Sequence, residues 1–128
     1  MTSRTLRVLV VDDEPMLVTA LLRTVVRAGH RGVGAYDGAQ ALDTIENDTD
    51  GFDVVVCDVR MPSMDGPTFL RRLRARGDRT PFVFLTGYGD YSDRELLALG
   101  ATAVLGKPTS RDRLFALFRD LSDSSRPA

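Results

Sequence analysis

The sequence predicts an α/β domain: one doubly wound (βα)5 unit whose parallel sheet is covered by helices on both faces. Two observations predict it. Short β-branched runs alternate along the chain with stretches whose apolar residues return every three or four positions, the pattern of strands buried on both faces and of the helices that cover them. A chain of 128 residues also supplies one hydrophobic core and no second one. Short links between the elements then favour right-handed crossovers.

The first strand is expected over residues 6–11. Pro15 suits the first turn of the following helix, where its missing N–H would have no partner, and Leu17, Leu21, Thr24, Val25 and Ala28 then share a face until Gly29 ends the helix. After a second strand at residues 32–36, Asp37 with Gln40 forms a capping-box-like start for a helix that buries Ala41, Leu42 and Ile45. The third strand spans residues 52–57. Asp65, Gly66 and Pro67 open the next helix, with Phe69, Leu70 and Leu73 facing inward. The fourth strand, residues 82–85, leads to a short helix that starts with the capping box Ser92-Asp93-Arg94-Glu95 and ends at Gly100. A fifth strand at residues 103–105 precedes a helix carrying Leu114, Leu117, Phe118 and Leu121 at regular spacing. Residues 1–121 thus read as a single domain. Residues 122–128, Ser-Asp-Ser-Ser-Arg-Pro-Ala, read as a flexible tail or the start of a linker.

Composition removes several functions. Seventeen basic side chains stand against 18 acidic ones, a formal net charge of −1, so no global field is available to hold nucleic acid or an anionic membrane. Cys57 and His30 are the only residues of their types, which excludes a disulfide framework and a Cys/His zinc site. Apolar runs such as residues 8–11 and 54–57 are far too short to span a bilayer, and no charged and then apolar leader opens the chain. A cytoplasmic protein is the expectation. Of the 17 basic residues, Lys107 is the one lysine.

Ligands of open α/β sheets bind beyond the carboxyl ends of the strands, and the residues there are distinctive. Asp12, Asp13 and Glu14 follow the first strand, Asp58 the third, Thr86 the fourth, and Lys107-Pro108 the fifth. Each alone could be a cap or a loop residue. Together they require another account, since a cap needs no companions on neighbouring strands. Converging carboxylates repel by about 4 kcal/mol per pair at about 4 Å and an effective dielectric near 20, so a cation must offset them. Hard oxygen donors with room for water suit Mg²⁺, which is commonly shared between carboxylates and a phosphate. Asp58 is then the candidate nucleophile toward phosphorus. Thr86 could donate a hydrogen bond to the transferred group and Lys107 could pair with its charge.

These motifs resemble a known family. Val10-Val11-Asp12-Asp13-Glu14-Pro15, Cys57-Asp58-Val59-Arg60-Met61-Pro62 leading to Met64-Asp65-Gly66, Leu85-Thr86-Gly87-Tyr88-Gly89-Asp90, and Gly106-Lys107-Pro108 are similar to the receiver domain of bacterial two-component response regulators, in the same order and near the same spacing. The resemblance covers the chain from about Leu6 to Leu121. It implies a flavodoxin-like sheet of order 2-1-3-4-5, an order that general treatments of the fold already assign to a chemotaxis member of the family. It implies that Asp58 accepts a phosphoryl group from a phosphohistidine on a sensor histidine kinase or a phosphotransfer protein. Asp13, Asp58 and the backbone carbonyl of Arg60 would hold Mg²⁺, with Asp12 acting largely through water, and the Lys107–Pro108 bond would be cis. The output partner or domain would engage the face made by the fourth helix, fifth strand and fifth helix, with a phosphorylation-dependent dimer as one form of output. Two positions depart from the pattern. Val104 stands where receivers usually carry an aromatic residue that moves with the threonine, and Thr109 stands where a large apolar residue often follows Lys-Pro. Both bear on the switch, not on the acceptor chemistry.

Other signals carry less. Arg71, Arg72, Arg74, Arg76 and Arg79 lack interleaved aromatic residues, so they read as a solvated helix face and not as a nucleic-acid surface. Gly32-Val33-Gly34 lacks the rest of a dinucleotide fingerprint, and Asn47-Asp48-Thr49 matches a glycosylation tripeptide in a chain without a secretion signal. Strand alternation aims Cys57 at the face opposite Asp58 as a core thiol, and His30 reads as a loop residue. Two other functions fit the same residues less well. One is a receiver-like interaction scaffold regulated without phosphorylation, and the other is an aspartyl-phosphate phosphohydrolase, which would usually place an acid where Arg60 stands.

Overall fold

Four consecutive apolar residues, Val8 to Val11, each lose their exposure completely or nearly so, as apolar runs do in a strand covered on both faces. That strand is β1 (Arg7–Val11) in the computed structural model, which describes residues 4–87 and 91–123. The elements follow in strict alternation: α1 (Pro15–Arg27), β2 (Arg31–Ala35), α2 (Gly38–Glu46), β3 (Val54–Asp58), α3 (Gly66–Ala75), β4 (Phe82–Thr86), α4 (Asp93–Ala98), β5 (Ala103–Gly106) and α5 (Arg111–Asp123). All four pairings are parallel, and the sheet order is β2-β1-β3-β4-β5. The expected five-stranded, flavodoxin-like fold is the observed one.

Alternation along the strands divides the core into two layers. Leu9, Val11, Val55, Cys57, Phe82 and Phe84 face Ala41, Phe69, Leu70, Leu73 and Leu96 of α2, α3 and α4. Val8, Val10, Val54, Val56, Val83 and Leu85 face Val18, Val25, Leu114 and Phe118 of α1 and α5. The helix starts follow the capping residues. Asp37 accepts from Gln40 N–H at 2.7 Å, Asp65 from Thr68 N–H at 2.9 Å, and Ser92 and Glu95 complete a reciprocal capping box.

The structure moves several boundaries. Leu6 lies outside β1, β2 begins and ends one residue earlier than expected, and β3 starts at Val54 and includes Asp58. The inward face of α1 centres on Val18 and Val25, with Leu21, Leu22 and Ala28 packed beside them. Thr24, expected on that face, turns its hydroxyl to the Ala20 carbonyl. The reason lies across the interface. A Cβ at Gly32 would meet Leu22 Cδ2 at 2.6 Å, and one at Gly34 would meet Val18 Cγ1 at 2.7 Å. The two glycines of β2 are therefore the seat of α1. Helix α5 runs two residues past Leu121, because Ser122 is buried and its hydroxyl donates to the Arg4 carbonyl. The rest of the expected tail, residues 124–128, and Tyr88, Gly89 and Asp90 of the fourth-strand motif lie outside the described residues. Among the five arginines on and after α3, Arg74 bonds the carbonyls of Asp78 and Gly100, and Arg76 pairs with Glu46 at 3.1 Å.

Candidate functional site

Asp58 closes β3 and Asp12 follows β1 on the adjacent strand, so parallel pairing alone brings their carboxylates to one edge. Asp12 is almost fully buried, and its two oxygens are divided between neighbours. Oδ1 accepts from Glu14 N–H at 3.0 Å, which fixes the turn into α1, and Oδ2 faces Lys107 Nζ at 3.4 Å. Asp58 Oδ1 accepts from its neighbour Val59 N–H at 2.9 Å and from Lys107 Nζ at 3.0 Å. Oxygen atoms of Asp12, Asp13 and Asp58 all lie within 4.8 Å of one another, with Asp13 exposed to solvent.

These groups perturb one another in a consistent direction. Burial pushes the Asp58 carboxyl above its ordinary value. The Lys107 hydrogen bond and charge oppose that, and Asp12 adds to it. Burial pulls the Lys107 ammonium down, but its bond and charge contact with Asp58, joined by Asp12, outweigh the burial and leave it above its ordinary value. The two directions agree physically. One ammonium serves two acids, so it is strongly held while Asp58 is incompletely neutralised.

Lys107 reaches this position from the end of β5. Its N–H donates to the Thr86 carbonyl at 2.6 Å, and the Lys107–Pro108 peptide bond is cis, as the resemblance implied. Thr86 ends β4 on the same sheet edge, half-buried, with its hydroxyl on the Gly87 carbonyl at 3.1 Å. Val104 pairs in register with Phe84 and packs partly buried against the α2–α4 side of the core. Arg60 lies exposed in the link from β3 to α3, beside a shallow cleft lined by Val59, Met61, Asp65 and Tyr91. Thr109 donates its hydroxyl to the Gly106 carbonyl at 2.9 Å.

Sequence reasoning missed two features of the site. Gly66 opens α3 and belongs to the Met64-Asp65-Gly66 motif, but neither signal announces that a Cβ there would stand 2.3 Å from the Asp58 carbonyl oxygen. The second is an apolar cleft of about 410 Å³ between α1 and the link from β5 to α5, bounded by Leu17, Leu21, Leu85, Pro108 and Leu114 and reaching Asp12 and Lys107. It is assembled from three separate parts of the chain, so no local signal could announce it.

Cys57 is fully buried and donates its thiol hydrogen to the Asp58 carbonyl at 3.1 Å. Burial raises its pKa well above the ordinary value, with Asp58, Asp12 and Asp65 pushing the same way and Lys107 opposing them. The thiolate is the reactive form. The native protein should therefore leave a disulfide thiol reagent unconsumed, with the thiol appearing only in step with unfolding along a urea titration. Prompt reaction under native conditions would show that the site opens locally.

The donor set suits a small hard cation. It offers carboxylate oxygens gathered within 4.8 Å of one another, and Asp13 is exposed so that water can complete the shell.

Two acids and a lysine gathered by parallel pairing at this edge of a 2-1-3-4-5 sheet define a class, and comparison places the chain in it. A family model described as "Response regulator receiver domain" matches residues 8–119. The chain belongs to that family, whose members work in two-component systems with histidine kinases and output domains. Among curated relatives, the response regulator MprA of Mycobacterium avium is 37% identical over 123 residues, 95% of this chain and 53% of that protein. The transcriptional regulatory protein TcrA of Mycobacterium tuberculosis is 39% identical over 117 residues, 91% of this chain and 46% of that protein. The chain spans about half the length of the curated relatives it matches. The receiver domain of Francisella response regulator 1452 superposes with a TM-score of 0.84 at 31% identity, covering 92% of this chain and 97% of that one. The receiver domain of the sensor histidine kinase PA1611 from Pseudomonas aeruginosa, solved with a magnesium ion coordinated in its active site cleft, gives 0.81 at 29% identity, covering 94% of this chain and 100% of that one. Among the described residues, no helix is long and apolar enough to cross a membrane.

Proposed function

We propose that this chain is a phosphoacceptor switch of a two-component system and that Asp58 is the residue phosphorylated. The observation that carries the reading is the placement of the Asp58 carboxylate: at the end of a central strand, within 4.8 Å of two other acids and held by the one lysine. A carboxylate oxygen of Asp58 attacks phosphorus of a phosphohistidine on a sensor kinase or phosphotransfer protein. The new O–P bond forms as the N–P bond breaks, and the imidazole nitrogen leaves with the electron pair and takes up a proton. Asp13, Asp58 and the Arg60 backbone carbonyl would hold Mg²⁺, with Asp12 acting through water, and the ion would neutralise charge on the transferring phosphoryl oxygens.

Lys107, now shared between Asp58 and Asp12, exchanges a carboxylate oxygen for a phosphoryl oxygen. Thr86 leaves the Gly87 carbonyl to donate to another phosphoryl oxygen. The backbone N–H of Val59 keeps Asp58 oriented. The chain thus catalyses its own phosphorylation and dephosphorylation without turning over a separate substrate. Output runs through the face of α4, β5 and α5 to a downstream protein or domain, in a cytoplasmic setting. With Val104 in the switch position, Thr86 moves against a small aliphatic side chain, and the change at that face is muted.

The test is incubation of the full chain with Mg²⁺ and a small-molecule phosphodonor, followed by intact mass. Wild type should gain one phosphoryl group, and Asp58→Asn should gain none. Absence of an adduct on wild type sinks the reading, and an adduct that persists in the Asn variant moves the acceptor elsewhere.

A further inference from the structure

At the edge of the sheet away from the acids, three parts of the chain meet at His30. Helix α1 ends there with Gly29 at a φ of 89°, Gly29 N–H on the Val26 carbonyl and His30 N–H on the Val25 carbonyl, a Schellman closure that sets the position of the imidazole. His30 Nδ1 accepts from the backbone N–H of Leu6 at 2.9 Å, across 24 residues of sequence. Its ring meets Phe118 of α5 edge-on, with centroids 5.7 Å apart at 73°. One helical turn later, Ser122 donates to the Arg4 carbonyl, two residues before Leu6. The imidazole is thus the joint between the lead-in to β1 and the last turns of α5. It is also the one histidine of the chain.

The Leu6 bond dictates the protonation state. An Nδ1 that accepts a hydrogen bond carries no proton, so the ring is the neutral Nε2–H tautomer. Protonation at Nδ1 turns an acceptor into a donor that faces another donor, and the Leu6 amide loses its partner. The surroundings compensate only in part. From the approach to β3, the charge of Asp53 acts on His30, but its oxygens already accept from Arg4 Nη1 at 2.7 Å and from Arg7 N–H at 2.8 Å. From α1 and α5, the recess beside His30 is lined by Arg27 and Arg119, and Arg31 follows it in sequence. These cations add positive charge and no counter-charge.

We propose that His30 is a pH-dependent latch: its neutral ring joins the lead-in to β1 to the end of α5, and its protonation releases that junction while the rest of the sheet stays formed. Burial lowers the pKa of His30 below the ordinary 6.5, with Asp53 opposing. The native state therefore binds its proton less readily than the unfolded chain. The latch contributes stability above about 6.5, and that contribution fades as pH falls below 6.5 toward the depressed native value.

The experiment is a two-dimensional amide NMR titration of the full 128-residue chain between about pH 8 and about pH 5, with hydrogen exchange corrected for its intrinsic pH dependence. Expected is one common midpoint, below 6.5, for the His30 ring, the Leu6 amide and the amides of residues 118–123. Protection at Leu6 should fall by about tenfold or more across it, with the β3 amides unchanged. His30→Gln, which can accept from Leu6 but cannot titrate, should abolish the response. Asp53→Asn should move the common midpoint to lower pH. A His30 ring that titrates while Leu6 and the end of α5 stay unmoved overturns the proposal, as does an unchanged response in His30→Gln.

Discussion

Gly66→Ala is expected to destabilise the domain by roughly 3 kcal/mol, the upper end of the range for overpacking, and to weaken Mg²⁺ binding with it. Gly66 opens α3, and its N–H donates to the Val59 carbonyl at 2.9 Å. A methyl group there would lie 2.3 Å from the Asp58 carbonyl oxygen and 2.7 Å from Phe84 Cε1. Neither neighbour can yield easily. One is the backbone of a central strand, and the other is a fully buried ring that meets Phe82 at 4.8 Å. Relief must come from the end of β3, and that displaces the Asp58 carboxylate from Asp12 and Asp13. Gly106→Ala, where nothing stands within 4 Å of the added methyl, should shift stability by no more than about 0.5 kcal/mol. Urea midpoints measure the first effect and a Mg²⁺ titration the second. A Gly66→Ala midpoint equal to that of wild type would show that the end of β3 is softer than its packing implies.

Lys107→Met should lower metal-free stability near neutral pH by about 2 kcal/mol. That is less than the cost of breaking a fully buried pair, because the Lys107 side chain is 29% exposed. The variant leaves Asp58 and the buried Asp12 face to face without a cation. In wild type, the raised pKa of Lys107 means its contribution is fully present below the ordinary 10.5 and is lost as pH rises through the raised native value. The variant adds a dependence at the other end of the scale. Asp58, already above the ordinary 3.8, moves further up, so its ionised form weighs on the folded state, and the deficit should shrink as falling pH protonates it. Magnesium should restore more stability to the variant than to wild type, since the ammonium no longer competes for Asp58 Oδ1. Thermal melts at several pH values, with and without Mg²⁺, measure all three effects. A deficit indifferent to both pH and Mg²⁺ would mean that Lys107 contributes packing and not charge.

What could be read in the sequence was what local chemistry determines. Asp37, Asp65 and Ser92 marked their helix starts because a cap acts within three residues. The acids, the threonine and the lysine were visible because parallel strands place their carboxyl ends at one edge. The features that went unseen depend on partners distant in sequence. Helix α1 carries Leu17, Val18, Leu21, Leu22, Val25 and Val26, enough apolar residues for two plausible faces. The choice between them is made by Gly32 and Gly34 on the strand beneath. Ser122 looked like the start of a tail because its partner, the Arg4 carbonyl, is 118 residues away. His30 looked like a loop residue for the same reason.

The bond between Ser122 and Arg4 also has a practical consequence. It brings the two described ends of the chain together at the edge of the sheet remote from Asp58. A five-residue strand such as β1 or β3 is about 17 Å long, so Arg4 and Ser122 stand about a full sheet height from the acidic site. Fusions made on the side of the Arg4–Ser122 junction should leave Mg²⁺ access and phosphodonor access clear. A reporter meant to sense the acidic site would have to be inserted at the opposite edge, in the links that follow the strands.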